Sequence, residues 1–479
     1  MNKTVGNIVN KTLTKDYLGN EIFKQLGESD CIYFSEVTKN MMTSYKSSQE
    51  PQLAFDLWKN LIIDAICILK INDYREKLYE DSKDIKQLTN SFDKIRKASS
   101  FGIHEIANYF EDFIQFEKVL YGTDEHYRDH VDHVLQVWAM GISLISHNNL
   151  LANDNYQLCK DDFHFQLDVP VVDFQEDIAF EKISQSELWS MWTIIALCHD
   201  LGYPIEKTAK INLQAKKIIS HFGNMNFSEL NYSFDIFNTF LVDKFLNVIS
   251  SKAVFSESGE KHTMIQTKYR DKFSKSLEDY KHGIFSSLLL YKNLTFFLET
   301  DYFVSKSQLD KEDIRQFFIR KEILRSIASH TCPKVYHINL NTLSFLLILC
   351  DELQEWNRPN FNEFRFKTDG KEPEVQLKEY DMSWQQKIHI HFKYGFEFSD
   401  LDKKYLVKSR FKNICCLLRT AKDDKNRKID FKWDIVTKNE DFSFSFNSNK
   451  NSFEQLSVVR KIKRANGTIE KEEEYELYD

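Results

Sequence analysis

The apolar residues Phe55, Trp58, Leu61, Ile62, Ala65, Ile66 and Leu69 recur three and four positions apart, a repeat that lines one buried face of a helix. Residues 1–99 accordingly read as a helical region. From about 100 to 365 the apolar segments grow denser. Leu188–Cys198 (LWSMWTIIALC) and Leu343–Cys350 (LSFLLILC) are apolar nearly all round, which predicts helices in the middle of a bundle rather than on its surface. Asn148–Ser184 is polar and aromatic without a clear period and reads as a long inserted loop, a candidate lid. After about 366 the period changes to two, in Lys387–Tyr394 (KIHIHFKY) and nearly so in Arg427–Val436, so strands are predicted there. The expected architecture is mainly α: an N-terminal helical region (1–99), a helical domain (100–365), and a small C-terminal α+β domain (366–479). The last ends in an acidic tail, Glu470–Asp479, expected to be solvated and mobile.

Composition supports the helical reading, because only 13 Gly and 6 Pro punctuate a chain of 479 residues. That length also favours more than one domain. The net charge of −8 comes from 72 acidic and 64 basic residues spread along the chain. No concentrated basic face results, which argues against a nucleic-acid partner. The apolar runs fall short of the roughly 20 residues of a membrane span, and MNKTVGNIVNK lacks the apolar stretch of a signal peptide. A soluble cytoplasmic protein without a membrane partner is expected, with its 8 cysteines as reduced thiols, most of them filling the core.

The two apolar runs end in charge. His199-Asp200 follows the first and Asp351 follows the second, so both carboxylates are predicted at the inner ends of buried helices. An uncompensated buried carboxylate costs on the order of several kcal/mol, so a positive partner is required, either Lys/Arg or a metal cation. The neighbours of His199-Asp200 are Leu, Gly, Tyr and Pro, and adjacent imidazole and carboxylate donors suit a cation. Upstream, His130 and His133 stand three apart on a helix. Both are candidate first ligands. His133 is preferred because Val134, Leu135 and Val137 continue as an inward face, whereas His130 sits in a charged approach.

The segments His133-Val-Leu-Gln-Val137 and Cys198-His-Asp-Leu-Gly202, followed by Asp351 after an apolar run, resemble the ordered H…HD…D set of the HD superfamily of metal-dependent phosphohydrolases, over roughly residues 100–365. The resemblance implies an HD-type helical bundle with His133, His199, Asp200 and Asp351 as metal ligands. His282 and His330 are placed like the extra ligands of HD subfamilies that hold two metals, among them the HD-GYP cyclic dinucleotide phosphodiesterases, with Asp200 then bridging both ions. Gly202-Tyr203-Pro204 merely follows the His-Asp pair, so that subfamily is not assigned.

The implied cofactor is one or two divalent ions (Fe, Mn, Zn, Co or Mg), with Asp200 as ligand and catalytic residue. Hydrolysis of a phosphate ester or anhydride follows, the substrate being a nucleotide: cyclic mono- or dinucleotide, guanosine polyphosphate or deoxynucleoside triphosphate. Arg128, Lys207 and Arg358 are candidates to hold its phosphate oxygens. An HD-fold nucleotide sensor with little turnover, and a scaffold with purely structural histidines, are the competing readings. A homo-oligomer is compatible with all three. The pair His389-x-His391 is expected on an exposed strand face rather than at a metal, and Trp189 and Trp192 in the core.

Overall fold

A computed structural model of the chain describes residues 22–28, 34–45, 51–73, 102–123, 129–147, 183–223, 228–230, 236–255, 261–298, 311–335, 338–356, 375–384, 387–396, 401–421, 427–437, 440–449, 452–463 and 468–476. The predicted loop lies outside them except for its last two residues, as do Arg128 and Arg358. The architecture is mainly α, with sheet at the C-terminal end. Among the described residues no helix is long and apolar enough to cross a membrane.

The centre of the bundle is α6 (Gln185–Cys198), in which every residue from Ser186 to Cys198 is buried. A helix without a polar face has to be surrounded, and α6 packs against α3 (Pro51–Asp73), α5 (Val131–His147) and α12 (Lys311–Ser329). Its start is set by Ser184, whose hydroxyl accepts from the backbone N–H of Glu187 while Glu187 reaches back to Ser184, a reciprocal cap that satisfies two otherwise orphaned donors. The N-terminal helices α1 (Ile22–Gly27), α2 (Glu36–Ser44) and α3 share one continuous apolar core with the bundle. Trp58 of α3 donates its indole N–H to Leu197 O at 2.8 Å. Trp189 and Trp192 are in that core as expected.

The remaining helices are α4 (Ile103–Thr123), α7 (Tyr203–Ile219), α8 (Ile236–Ser250), α9 (Thr267–Glu278), α10 (His282–Asn293), the single turn α11 (Thr295–Leu298), α13 (Leu343–Leu353) and α14 (Leu401–Thr420). An antiparallel hairpin, β1 (Ser251–Phe255) with β2 (Lys261–Ile265), interrupts the helical domain, which periodicity did not predict. The second apolar run forms α13, capped by the Thr342 hydroxyl accepting from Phe345 N–H.

The predicted strands belong to one six-stranded sheet in the order β3 (Val375–Trp384), β4 (Lys387–Phe396), β5 (Lys428–Val436), β6 (Glu440–Asn449), β7 (Ser452–Lys463), β8 (Ile469–Glu476). All pairs are antiparallel except β4 with β5, which α14 connects, since parallel neighbours need a crossover. The apolar face of the sheet carries Ile390, Phe392, Phe431, Trp433 and Phe446, all fully buried. α14 packs on β6 from one side and on α13 from the other. The acidic segment expected as a tail contains a strand: Ile469–Glu476 form β8, which pairs with β7 and sets Glu473 against Arg460 at 3.3 Å and Glu472 against Lys461 at 3.5 Å, residues 477–479 lying outside the described residues. The basic residues of β7 supply what the tail's own composition hides, and the charges of β8 suit an edge strand, where they discourage pairing with another chain. At the ends of β6 and β7, Asn447 pairs with Gln455 and Asn449 with Ser452.

Candidate metal centre

The chain leaves α6 at Cys198, turns through His199–Gly202 and enters α7 at Tyr203. This turn carries His199 and Asp200 into the middle of the bundle, where they are 0% and 5% exposed. His133 comes from the first turn of α5 and Asp351 from the last turn of α13. His282 is the first residue of α10, and His330 directly follows α12.

All six predicted ligands converge, and they do so as two groups. His133, His199, Asp200 and Asp351 present ligand atoms within 4.8 Å of one another, and so do Asp200, His282 and His330. Asp200 belongs to both through different oxygens. Its Oδ2 lies 3.3 Å from His199 Nε2 and 3.7 Å from His133 Nε2, and its Oδ1 lies 3.2 Å from His282 Nε2 and 3.8 Å from His330 Nε2. Asp351 Oδ1 stands 3.1 Å from His133 Nε2 and 3.8 Å from His199 Nε2.

The far side of each ring fixes its orientation. Nδ1 donates to Ala196 O from His199 at 2.8 Å, to Ile327 O from His330 at 2.6 Å, to Glu206 Oε2 from His282 at 2.6 Å, and to Gln354 Oε1 from His133 at 2.5 Å. The last assignment is independent of the imidazole, because Gln354 spends its amide N–H₂ on Trp356 O at 2.7 Å and so turns its oxygen to His133. With Nδ1 occupied, all four Nε2 atoms face the cluster, as in metal sites where a second hydrogen bond orients each ring. Two consequences point to a cation. His199 Nε2 is buried with no hydrogen-bond partner among the described residues, and the Nε2 atoms of His282 and His330 face each other at 3.2 Å. Two acceptor lone pairs at that distance repel unless a proton or cation lies between them. Among the described residues no Lys or Arg forms an ion pair with Asp200 or Asp351. The mixed imidazole and carboxylate donor set therefore fits a transition-metal ion.

Protons and a cation compete for the same negative charge. Burial lowers the pKa of His199, yet the Asp200 and Asp351 carboxylates outweigh it and raise it to about 10. Burial likewise lowers that of His282, while Asp200 and Glu206 raise it to about 9. His330 goes the other way, lowered by burial and by the charge of its neighbouring imidazoles. Asp200 and Asp351 are held well below the usual carboxylate range, because the histidines overcome the burial that opposes ionisation.

Two glycines let α10 approach this closely. A Cβ on Gly202 would fall 2.2 Å from His282 O, and one on Gly283 would fall 2.7 Å from the His330 ring. His130, the alternative first ligand, lies outside both donor groups. Its Nε2 is 3.9 Å from Asp200 Oδ2, its Nδ1 is 3.6 Å from Glu117 Oε1, and its ring lies against Tyr203 with centroids 4.2 Å apart. Tyr203 also meets His282 at 4.9 Å, and Lys207 sets its Nζ 4.6 Å from the Tyr203 centroid. Of the three predicted substrate contacts only Lys207 is among the described residues, one helical turn after Tyr203. Gln354 and Glu206, which orient His133 and His282, were not anticipated. The spacing of Gln354 three residues after Asp351 was the only signal available.

Comparisons with protein-family models, with curated proteins and with solved structures give no significant match. The resemblance to the HD superfamily therefore stands on the residues themselves: a buried His/Asp cluster able to hold metal.

Proposed function

We propose that the chain is a metal-dependent phosphohydrolase with an HD-type bundle, acting on a phosphate ester or anhydride of a nucleotide. The observation that carries this reading is the placement of Asp200, whose two oxygens enter two separate donor groups. His133, His199, Asp200 and Asp351 would hold one divalent ion, and Asp200, His282 and His330 a second. Ions at such a site supply Lewis acidity at phosphorus and lower the pKa of a water from about 15.7 to about 7. The protein supplies the rest. The Nδ1 tethers keep the rings aimed, the apolar walls of α6 and α13 limit bulk water, and Lys207, beside Tyr203, would meet a phosphate oxygen.

The test is a purified protein assayed with manganese against cyclic mono- and dinucleotides, guanosine polyphosphates and deoxynucleoside triphosphates, beside Asp200→Asn. Metal-dependent turnover that falls about 10³-fold or more in the variant is expected, the size that several kcal/mol of charge stabilisation implies. Nucleotide binding without turnover would replace the enzyme with a sensor. A wild-type protein that retains no divalent metal after chelator-free purification would replace both with a scaffold.

A further inference from the structure

Residues 351–356 look in two directions. Asp351 and Gln354 face the cluster, where Asp351 meets His133 Nε2 and Gln354 meets His133 Nδ1. Glu352, Leu353, Glu355 and Trp356 face the C-terminal α+β unit. There Arg410 of α14 sets its Nη1 3.0 Å from Glu352 Oε2 and its Nε 3.0 Å from Glu355 Oε1. Asn413 adds a bond to Glu352 Oε1 at 3.1 Å, and Tyr394 of β4 donates its hydroxyl to Leu353 O at 2.5 Å. The Tyr394 ring also packs against Trp356, whose carbonyl anchors Gln354. Each residue from Asp351 to Trp356 is thus tied either to His133 or to the C-terminal unit, so both sets of ties act on one stretch of five peptide bonds.

Arg410 is the charged centre of this clamp. Its side chain is 24% exposed, against 16% for Glu352 and 5% for Glu355, and its guanidinium meets both carboxylates, which stand one and four residues after Asp351. Without it, the three carboxylates of Asp351, Glu352 and Glu355 would crowd one helix end, and their repulsion would act along the backbone that aims Asp351 and Gln354.

We infer that Arg410 is a positioning residue for the centre: acting through Glu352 and Glu355, it holds the end of α13 so that Asp351 and Gln354 meet His133. The C-terminal α+β unit thereby sets the cation affinity of the His133 group but not that of the His282–His330 group. The inference rests on the metal reading proposed above for its affinity statement, and on the hydrogen bonds of Asp351 and Gln354 to His133 for its statement about His133.

The experiment uses the full chain, stripped of metal and titrated with cobalt(II) by visible absorbance. In a His282→Ala/His330→Ala background only the His133 group remains, and Arg410→Ala is expected to weaken cobalt binding about 10- to 100-fold, the range for residues that orient ligands. Arg410→Lys keeps the charge but cannot bond both carboxylates in one plane, so it should fall between. In a His133→Ala background Arg410→Ala should leave the remaining site unchanged. A second readout needs no metal: side-chain ¹⁵N spectra should show His133 Nδ1 protonated and hydrogen-bonded to Gln354 in the metal-free wild type, and loss of that hydrogen-bond signature in Arg410→Ala. Equal cobalt affinity with and without Arg410 in the first background, alongside a lowered melting temperature, would make the pair merely structural and overturn the inference. A wild type that binds no cobalt would end the metal reading, while an unchanged His133 spectrum in Arg410→Ala would end this one. Should Arg410→Ala fail to fold, Arg410→Lys and Glu352→Gln, which conserve volume, carry the same comparison with the same opposing outcomes.

Discussion

In the bundle core His133, His199, His282 and His330 turn their Nε2 atoms toward Asp200 and Asp351, whereas on the polar face of the sheet His389 and His391 each lie against carboxylates of their own. His389 Nδ1 meets Asp430 Oδ2 at 3.1 Å and His391 Nε2 meets Asp434 Oδ2 at 2.9 Å. Lysines complete the sheet cluster, Lys387 on Asp430 at 2.7 Å and Lys432 on Asp434 at 2.8 Å. Residue types are the same in both places, and two differences separate them. Charge on the sheet is balanced by ammonium groups, with the histidine side chains 30% and 23% exposed. Charge in the core faces imidazoles, with the His133 and His199 side chains fully buried, Asp200 7% exposed and only Asp351, at 21%, open to the degree of the sheet residues. The lesson is that histidine and aspartate make a donor cage only where burial removes solvent and no Lys or Arg arrives first.

Chelation is the strongest way to break this contrast. An ion present at 100 times its dissociation constant stabilises the fold by about 2.7 kcal/mol, so EDTA should lower the melting midpoint of the metal-loaded protein, followed by circular dichroism. A His389→Ala/His391→Ala variant should show the same drop as wild type. If EDTA leaves the wild-type midpoint unmoved, the two clusters are energetically alike and the distinction drawn above fails.

The contrast was legible in the sequence to an unequal degree. The all-round apolar runs before His199-Asp200 and Asp351 announced α6 and α13, because a helix without a polar face has only the interior to occupy. His389-x-His391 was legible as a strand face because period two shows in KIHIHFKY. What local pattern could not reveal were partners distant in the chain. Trp58 and Leu197, 139 residues apart, join the N-terminal helices to α6, and Arg410 reaches Glu352 across 58 residues. The strand at Ile469–Glu476 was hidden for the same reason. Its acidic composition reads as a solvated tail until Arg460 and Lys461 of β7 stand opposite. The orienting roles of Gln354 and Glu206 depend on atoms 2.5 and 2.6 Å from histidine rings, a precision that spacing in sequence does not encode.

A smaller effect sharpens the comparison through pH. In the metal-free protein His199 and His282 have folded-state pKa values raised to about 10 and about 9, against about 6.5 when unfolded. A raised pKa means the folded state binds the proton more tightly. The resulting stabilisation is fully present below about pH 6.5 and is lost as pH rises through 9 to 10. Metal-free protein should therefore lose stability steadily over that window in urea titrations. Metal-loaded protein, whose imidazoles bind without protons, should hold its stability there, so the gap between the two widens toward alkaline pH. Parallel curves for the two forms would show that protons and cation do not share the site.

The smallest expected change is on the sheet. Removing the His391 imidazole with His391→Ala leaves Asp434 still paired with Lys432 at 2.8 Å, so no carboxylate is stranded. Its side chain is also only partly covered, at 23% exposure, where a pair contributes about 0–1 kcal/mol. Urea unfolding should register a loss of no more than about 1 kcal/mol, diminished further in about 1 M salt, where screening shortens the reach of surface charge to about 3 Å. A loss of several kcal/mol would mean that the sheet histidines carry a buried charge after all, and that exposure and lysine neighbours do not distinguish an ion-pair face from a donor cage.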